Sequence, residues 1–201
     1  MKRLAIFISG RGSNLKNIIE NKHNFNATIE LVFSDKKDAF GLNYARENNI
    51  KIATLNKKDF SNKIDFDKEL LSILRNNNID SIILAGYMKI LSPLLIKEYK
   101  NNIINIHPAL LPAFTGLDAQ KQALEYGAKI TGATVHFVDE GVDTGPIIIQ
   151  ESVPIYEDDT EELLSQRILM IEHKIYPKAI ELFTKDYLEI INNRKVIIKI
   201  K

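Results

Sequence analysis

The sequence predicts a doubly wound α/β fold: a mostly parallel sheet of about seven strands, with a C-terminal hairpin and a long helix. Three observations carry this reading. Apolar runs at 4–8 and 81–85 lack polar alternation, as expected of strands buried on both faces of a parallel sheet. Segments with helical apolar spacing, such as Phe66, Leu70, Leu71 and Leu74, fall between such runs, so strand and helix alternate. No linker, internal repeat or low-complexity tract interrupts the alternation.

At 201 residues the chain suits one domain with a substantial core. Hydrophobic residues make up 45% and charged residues 26%, which separates it from disordered chains. Lys plus Arg number 27 against 26 for Asp plus Glu, so no global field gathers nucleic acid and any phosphate must be held locally. The absence of cysteine excludes disulfides, thiolate zinc sites and cysteine nucleophiles, and fits a reducing cytoplasm. Ser9-Gly10-Arg11-Gly12 breaks the first apolar run too early for a signal peptide, and no run reaches membrane-spanning length. The expectation is a cytoplasmic protein that handles small molecules, with neither a membrane nor a nucleic-acid partner.

Residues 4–8 are read as the central strand. The run breaks into Ser9-Gly10-Arg11-Gly12-Ser13-Asn14, after which Leu15, Ile18 and Ile19 recur at helical spacing. Glycines let the backbone approach an anion, and the free N–H groups and dipole of a helix start favour phosphate. Leu15 stands where the third glycine of G-x-G-x-x-G belongs, and no Gly-Lys-Ser/Thr follows, so a single phosphate is expected rather than a dinucleotide. The plainer reading is a tight strand-to-helix turn that binds nothing. Residues 29–33 form the next strand, ending at Ser34-Asp35. An acid about twenty positions after the glycine loop is where a Rossmann protein holds ribose, which keeps a dehydrogenase as a distant alternative. Residues 39–48 read as helix, 50–55 as strand, 66–75 as helix and 81–85 as strand. In the following Tyr87-Met-Lys-Ile-Leu-Ser-Pro93, the side chains of Met88, Ile90 and Leu91 suit an apolar slot for a flat ring, or plain core.

Ile103, Ile104 and Ile106 read as a buried strand that Pro108 stops at His107. Asn105 and His107 lie two apart, so on an extended backbone their side chains leave one face, at the carboxyl edge where open α/β sheets place ligands. A helix at 118–126 with Gly127 as its cap follows. Residues 131–138 alternate like a strand with one polar face and, with 146–153, then form a hairpin with Asp143 on its loop. If Asp143 folds back beside Asn105 and His107, the three supply an acid/base, an oxyanion donor and a carboxylate that holds the imidazole protonated. The ordinary alternatives are a structural histidine at a strand end and an aspartate that starts a turn. Asp159-Thr160-Glu161-Glu162 signals a helix start, the helix running to about Phe183 with a kink at Pro177. Residues 196–200 are expected to form a last edge strand guarded by lysines.

Taken together, Ile8-Ser-Gly-Arg-Gly-Ser-Asn14, Val32-Phe-Ser34, Asp38-Ala-Phe-Gly41, Leu84-Ala-Gly-Tyr-Met-Lys-Ile-Leu-Ser-Pro93, Asn105-Ile-His-Pro-Ala-Leu-Leu-Pro112, Thr131-Gly-Ala-Thr-Val-His-Phe-Val138 and Asp143-Thr-Gly-Pro146 resemble the phosphoribosylglycinamide formyltransferases, folate-dependent transformylases of purine synthesis. The resemblance spans almost the whole chain. It implies one formyltransferase domain over 1–201, with a nucleotide- and phosphate-binding half at 1–100 and a catalytic and folate-binding half at 101–201. It implies that Gly12, Ser13 and Asn14 bind the ribonucleotide phosphate and Glu172 the same substrate. Lys63, Met88, Lys89, Ile90, Leu91, Asn105, Val138 and Glu140 are implied to bind folate, and Asn105, His107 and Asp143 to form the catalytic set. Lys63 stands where relatives often carry arginine, keeping the charge but not the planar fork. Asp118 and Gln120 stand where they often carry histidines. His136 is expected beside the site, in a supporting place, while His23 and His173 are expected at the surface or in helix packing.

The reaction so implied moves a formyl group from N10 of 10-formyltetrahydrofolate, the co-substrate, to the amine of glycinamide ribonucleotide. Asn105 N–H and protonated His107 would stabilise the oxyanion, such donors being worth about 3 kcal/mol each. Water on Asp143 would relay the proton from the amine to departing N10. No metal is expected, and the chain is expected to act as a monomer or homodimer. The runner-up is a hydrolase of the same folate. Its relatives usually carry an added N-terminal domain, whereas Met1 leads directly into the first strand, which favours the transferase.

Overall fold

A computed structural model describes residues 1–199. Seven strands form one sheet: β1 (Lys2–Ile8), β2 (Ala27–Ser34), β3 (Lys51–Thr54), β4 (Ser81–Leu84), β5 (Ile103–His107), β6 (Ile130–Phe137) and β7 (Ile147–Pro154). Their order is β3-β2-β1-β4-β5-β6-β7. β1 is therefore interior, but β4 takes the middle place assigned to 4–8 from the sequence. The helices are α1 (Ser13–Glu20), α2 (Leu42–Glu47), α3 (Lys63–Asn76), α4 (Pro93–Glu98), α5 (Ala119–Tyr126) and α6 (Glu161–Thr184). The expected hairpin is β6 with β7, which pair antiparallel; a separate two-stranded sheet follows, β8 (Leu188–Ile191) with β9 (Lys195–Ile198). Ile200, expected to end the last strand, lies outside the described residues.

The chain divides into two compact units, Met1–Ile104 and a second that begins at Asn105. In the first, β1 pairs in parallel with both β2 and β4, and β2 with β3. The chain thus runs outward from β1 to β3 and then reverses to β4, which puts a topological switch point at the carboxyl ends of β1 and β4. Residues 4–8 of β1 are wholly buried, and the Phe7 ring packs on Phe33 with centroids 4.8 Å apart. α2 starts three residues later than its apolar pattern suggests, because the chain before it closes i→i+3 turns instead, with Leu42 N–H on the Ala39 carbonyl and Asn43 N–H on the Phe40 carbonyl, both at 3.0 Å. α3 starts earlier than expected: Asn62 Oδ1 accepts from Asp65 N–H at 3.0 Å and caps it.

In the second unit β5 carries Asn105 and His107, and β6 is buried along nearly its whole length instead of alternating. Its polar residues have internal work. Thr134 Oγ1 donates to the Ala109 carbonyl at 2.7 Å and accepts from Leu111 N–H at 3.1 Å, fixing the backbone that follows His107. α6 lies along β6 and β7. Thr160 Oγ1 caps it by accepting from Leu163 N–H at 3.2 Å, and Glu161 and Glu162 occupy its first turn. Among the described residues no helix is long and apolar enough to cross a membrane.

Candidate active site

In the first unit a cavity of about 360 Å³ opens at the switch point, lined by residues 9–14, Lys36, Ala85, Gly86 and Met88. Gly12, Ser13 and Asn14 are therefore together where β1 turns into α1. Gly12 caps α1 with φ +78° and has no side chain to occupy the first N–H groups, which leaves the helix start suited to an anion. A Cβ on Gly12 would lie 2.5 Å from Gly41 Cα, so this glycine is required by close backbone packing as well as by conformation. Lys36, Ala85 and Gly86 were not picked out as site residues from the sequence; their place shows only once β4 is known to lie beside β1. Asp35 Oδ1 is engaged within the protein, accepting from Ser9 Oγ at 2.6 Å.

Of the residues implied to bind folate, Lys63 begins α3 at the surface, and Met88, Lys89 and Ile90 are exposed beyond β4. Leu91 differs from its neighbours in facing the core. Asn105 and Val138 are half-buried in the second unit, and Glu140 is exposed on the loop between β6 and β7. Glu172 is buried on α6. His23 is exposed and His173 half-buried on α6.

Asn105, His107 and Asp143, the set implied to be catalytic, are brought together within the second unit through contacts with one another and with His136. His107 Nδ1 lies 3.3 Å from Asp143 Oδ2, and both side chains are nearly buried. The loop that returns Asp143 is built for it. Gly145 permits an approach to the Phe137 carbonyl that a Cβ would block at 1.8 Å, Phe137 N–H donates to the Pro146 carbonyl at 2.8 Å, and Asp143 itself has φ +56°. Thr144 Oγ1 donates to Asp139 Oδ1 at 2.6 Å, and Arg194, from the β8–β9 turn, donates to the Thr144 carbonyl. Asp143 Oδ2 also accepts from Gly116 N–H at 2.8 Å.

The partners fix where protons sit. His107 Nε2 is 2.7 Å from the Phe114 carbonyl, which can only accept, so Nε2 carries hydrogen, and Nδ1 is the ring nitrogen that faces Asp143. His136 Nδ1 is 2.8 Å from the Phe137 carbonyl, which places its hydrogen there and leaves Nε2 to accept from Asn105 Nδ2 at 3.2 Å. Burial pushes the His136 imidazole below its ordinary value, against the opposing pull of the Phe137 carbonyl and Asp143. The 3.7 Å approach of His136 Nε2 to Asp143 Oδ1 is thus contact between a neutral ring and a carboxylate rather than an ion pair. His136 orients Asn105, a more direct role than the supporting place expected of it. Phe114 and Gly116 act through backbone atoms, for which sequence carries no residue-type signal. Among the described residues no cluster of His, Asp and Glu has the arrangement of a metal site.

The formyl transferase family matches residues 2–180. The chain is 43% identical to the phosphoribosylglycinamide formyltransferase of Bacillus subtilis over 90% of this chain and 94% of that protein. It is 44% identical to the trifunctional purine biosynthetic protein adenosine-3 of Chironomus tentans over 94% of this chain, of which it spans 14%. Among solved structures, glycinamide ribonucleotide transformylase 1 from Symbiobacterium toebii superposes with a TM-score of 0.95 at 43% identity, covering 99% of this chain and 94% of that one. A formyltetrahydrofolate deformylase from Pseudomonas syringae pv. tomato superposes with a TM-score of 0.91 at 26% identity, covering 98% of this chain and 66% of that one. The chain belongs to the formyl transferase family, by both its sequence and its fold.

Proposed function

We propose that this chain transfers the formyl group of 10-formyltetrahydrofolate to the amine of glycinamide ribonucleotide in purine synthesis. The observation that carries the reading is the convergence of Asn105, His107 and Asp143 within one unit of a formyl transferase family member. The acceptor is supported by the glycine loop with its cavity, and by 43% identity to proteins named for this acceptor against 26% to a deformylase. Gly12, Ser13 and Asn14 take the phosphate, and Glu172 contacts the same ribonucleotide. Lys63, Met88, Lys89, Ile90, Leu91, Val138 and Glu140 receive the folate.

The neutral amine attacks the formyl carbon, and negative charge develops on the formyl oxygen. Asn105 has one amide N–H committed to His136, which aims the other into the site as an oxyanion donor. For His107 to join it, Nε2–H exchanges the Phe114 carbonyl for the formyl oxygen. Asp143 balances the charge at Nδ1, and water on its carboxylate carries the proton from the attacking amine to N10. No step calls for a metal. The protein acts in the cytoplasm, as a monomer or homodimer, on small molecules alone; its net charge of +1 is consistent with the absence of a polyanion partner.

The test is the rate of tetrahydrofolate formation with and without glycinamide ribonucleotide. Release should require the ribonucleotide. Equal turnover in its absence assigns the hydrolase activity instead.

A further inference from the structure

Ser9 is buried where β1 passes into the glycine loop. Its hydroxyl donates to Asp35 Oδ1 at 2.6 Å and accepts from Met88 N–H at 2.9 Å, while its own N–H donates to the Gly86 carbonyl at 3.1 Å. One side chain therefore ties together the carboxyl ends of β1, β2 and β4. The task needs a group that donates and accepts at once, as a hydroxyl does, and the acceptor is a carboxylate, which makes the 2.6 Å bond a charge-assisted one. The Met88 segment needs this anchor. Met88 is 60% exposed and Ile90 74% exposed, so burial of their side chains does not hold the tip; buried Leu91 holds the far end, and the near end depends on Ser9. Its base is held by the two bonds to Ser9 and by the Tyr87 ring, which packs 5.4 Å from Phe7 and 6.1 Å from Phe33. Ser9 and Met88 also line the same cavity as Gly12, Ser13 and Asn14.

We propose that Ser9 and Asp35 are positioning residues that lock the glycine loop and the Met88 segment into one unit, so that a single hydroxyl sets the binding geometry for both co-substrates. Asp35 thereby acquires a role that its place after β2 did not suggest: it orients Ser9 instead of meeting a ribose. The inference rests on the proposed function, because it takes the glycine loop to bind the ribonucleotide and the Met88 segment the folate.

The experiment measures kcat and both KM values for the parent, Ser9→Ala, Asp35→Asn and Asp35→Leu. Ser9→Ala and Asp35→Leu should raise the KM of ribonucleotide and folate together, each by about tenfold, with kcat within about threefold of the parent. Asp35→Asn keeps an oxygen to accept from Ser9 and should stay within about threefold of the parent in both KM values. A rise in one KM alone, unchanged KM values, a loss confined to kcat, or an Asp35→Asn variant as impaired as Asp35→Leu overturns the proposal. If Ser9→Ala fails to fold, the two Asp35 variants carry the comparison. A parent that needs no ribonucleotide overturns the functional reading itself, whereas an active parent with unaffected variants overturns only the positioning role.

Discussion

Asp143 divides its two oxygens between different tasks. Oδ2 takes the Gly116 N–H at 2.8 Å and faces His107 Nδ1 at 3.3 Å, while Oδ1 lies toward His136 at 3.7 Å. In Asp143→Asn the side-chain oxygen can still accept from Gly116, so the loop keeps its tie, but the charge opposite His107 is lost, and with it the carboxylate that the proposed relay requires. Steady-state kinetics should show kcat reduced by about 10²-fold or more with KM values little changed. A near-parent kcat would mean that Asp143 only shapes the turn. The common face of Asn105 and His107 was legible in the sequence, because Pro108 fixes the strand end and their spacing fixes the face. The return of Asp143 to His107 stood there only as a condition, since position along the chain does not say where a loop folds back. The commitment of Nε2–H to the Phe114 carbonyl was not legible, since every residue offers a carbonyl and only the folded loop decides which one arrives. Gly12 illustrates the same limit. Its place in a tight strand-to-helix glycine turn was readable, but its packing against Gly41 was hidden, so a bulky replacement there disturbs the backbone whatever the loop binds.

At the level of elements, β6 carries an ionisable side chain into the interior, and that has a signed consequence. Burial holds folded His136 below its ordinary value, so below about pH 6.5 the unfolded chain binds more protons at this position than the folded one does. The His136 contribution thus favours unfolding progressively as pH falls from about 6.5 toward the folded value, and vanishes above that window. Thermal unfolding of His136→Gln should depend less steeply on pH between about 6.5 and 5 than that of the parent; parallel curves would contradict the assignment. The elements most legible in sequence were those with a strong period or a cap: β1, α3, β4, β5 and the Thr160 start of α6. α4 escaped notice because its six residues give too few turns for a period, although Ser92 before Pro93 is a cap-and-start signature, and Ser92 Oγ does accept from Leu95 N–H at 3.3 Å. β8 escaped because its four residues gain a pairing partner only when β9 returns beside it. The polar residues of β6 suggested an exposed face, whereas Thr134 and His136 are buried with internal partners.

For the whole molecule, one feature of the chain path accounts for the cavity beside the glycine loop. Reversal of strand order between β1 and β4 leaves a cleft at their carboxyl ends, and the glycine loop, Gly86 and Met88 all lie there because they follow those two strands. In the second unit β5, β6 and the loop that β7 closes carry Asn105, His107, His136 and Asp143. In the proposed reaction between two bound molecules, the gain comes from holding an amine against a formyl carbon rather than from forming a covalent enzyme intermediate. Transfer and hydrolysis differ only in what attacks that carbon, so the destination of the carbon decides between them. The direct measurement follows 10-formyltetrahydrofolate labelled with carbon-13 in the formyl group, in the presence of glycinamide ribonucleotide, and locates the label at the end of turnover. Transfer predicts one labelled formamide on the ribonucleotide for each tetrahydrofolate released, whereas label recovered as free formate would contradict it.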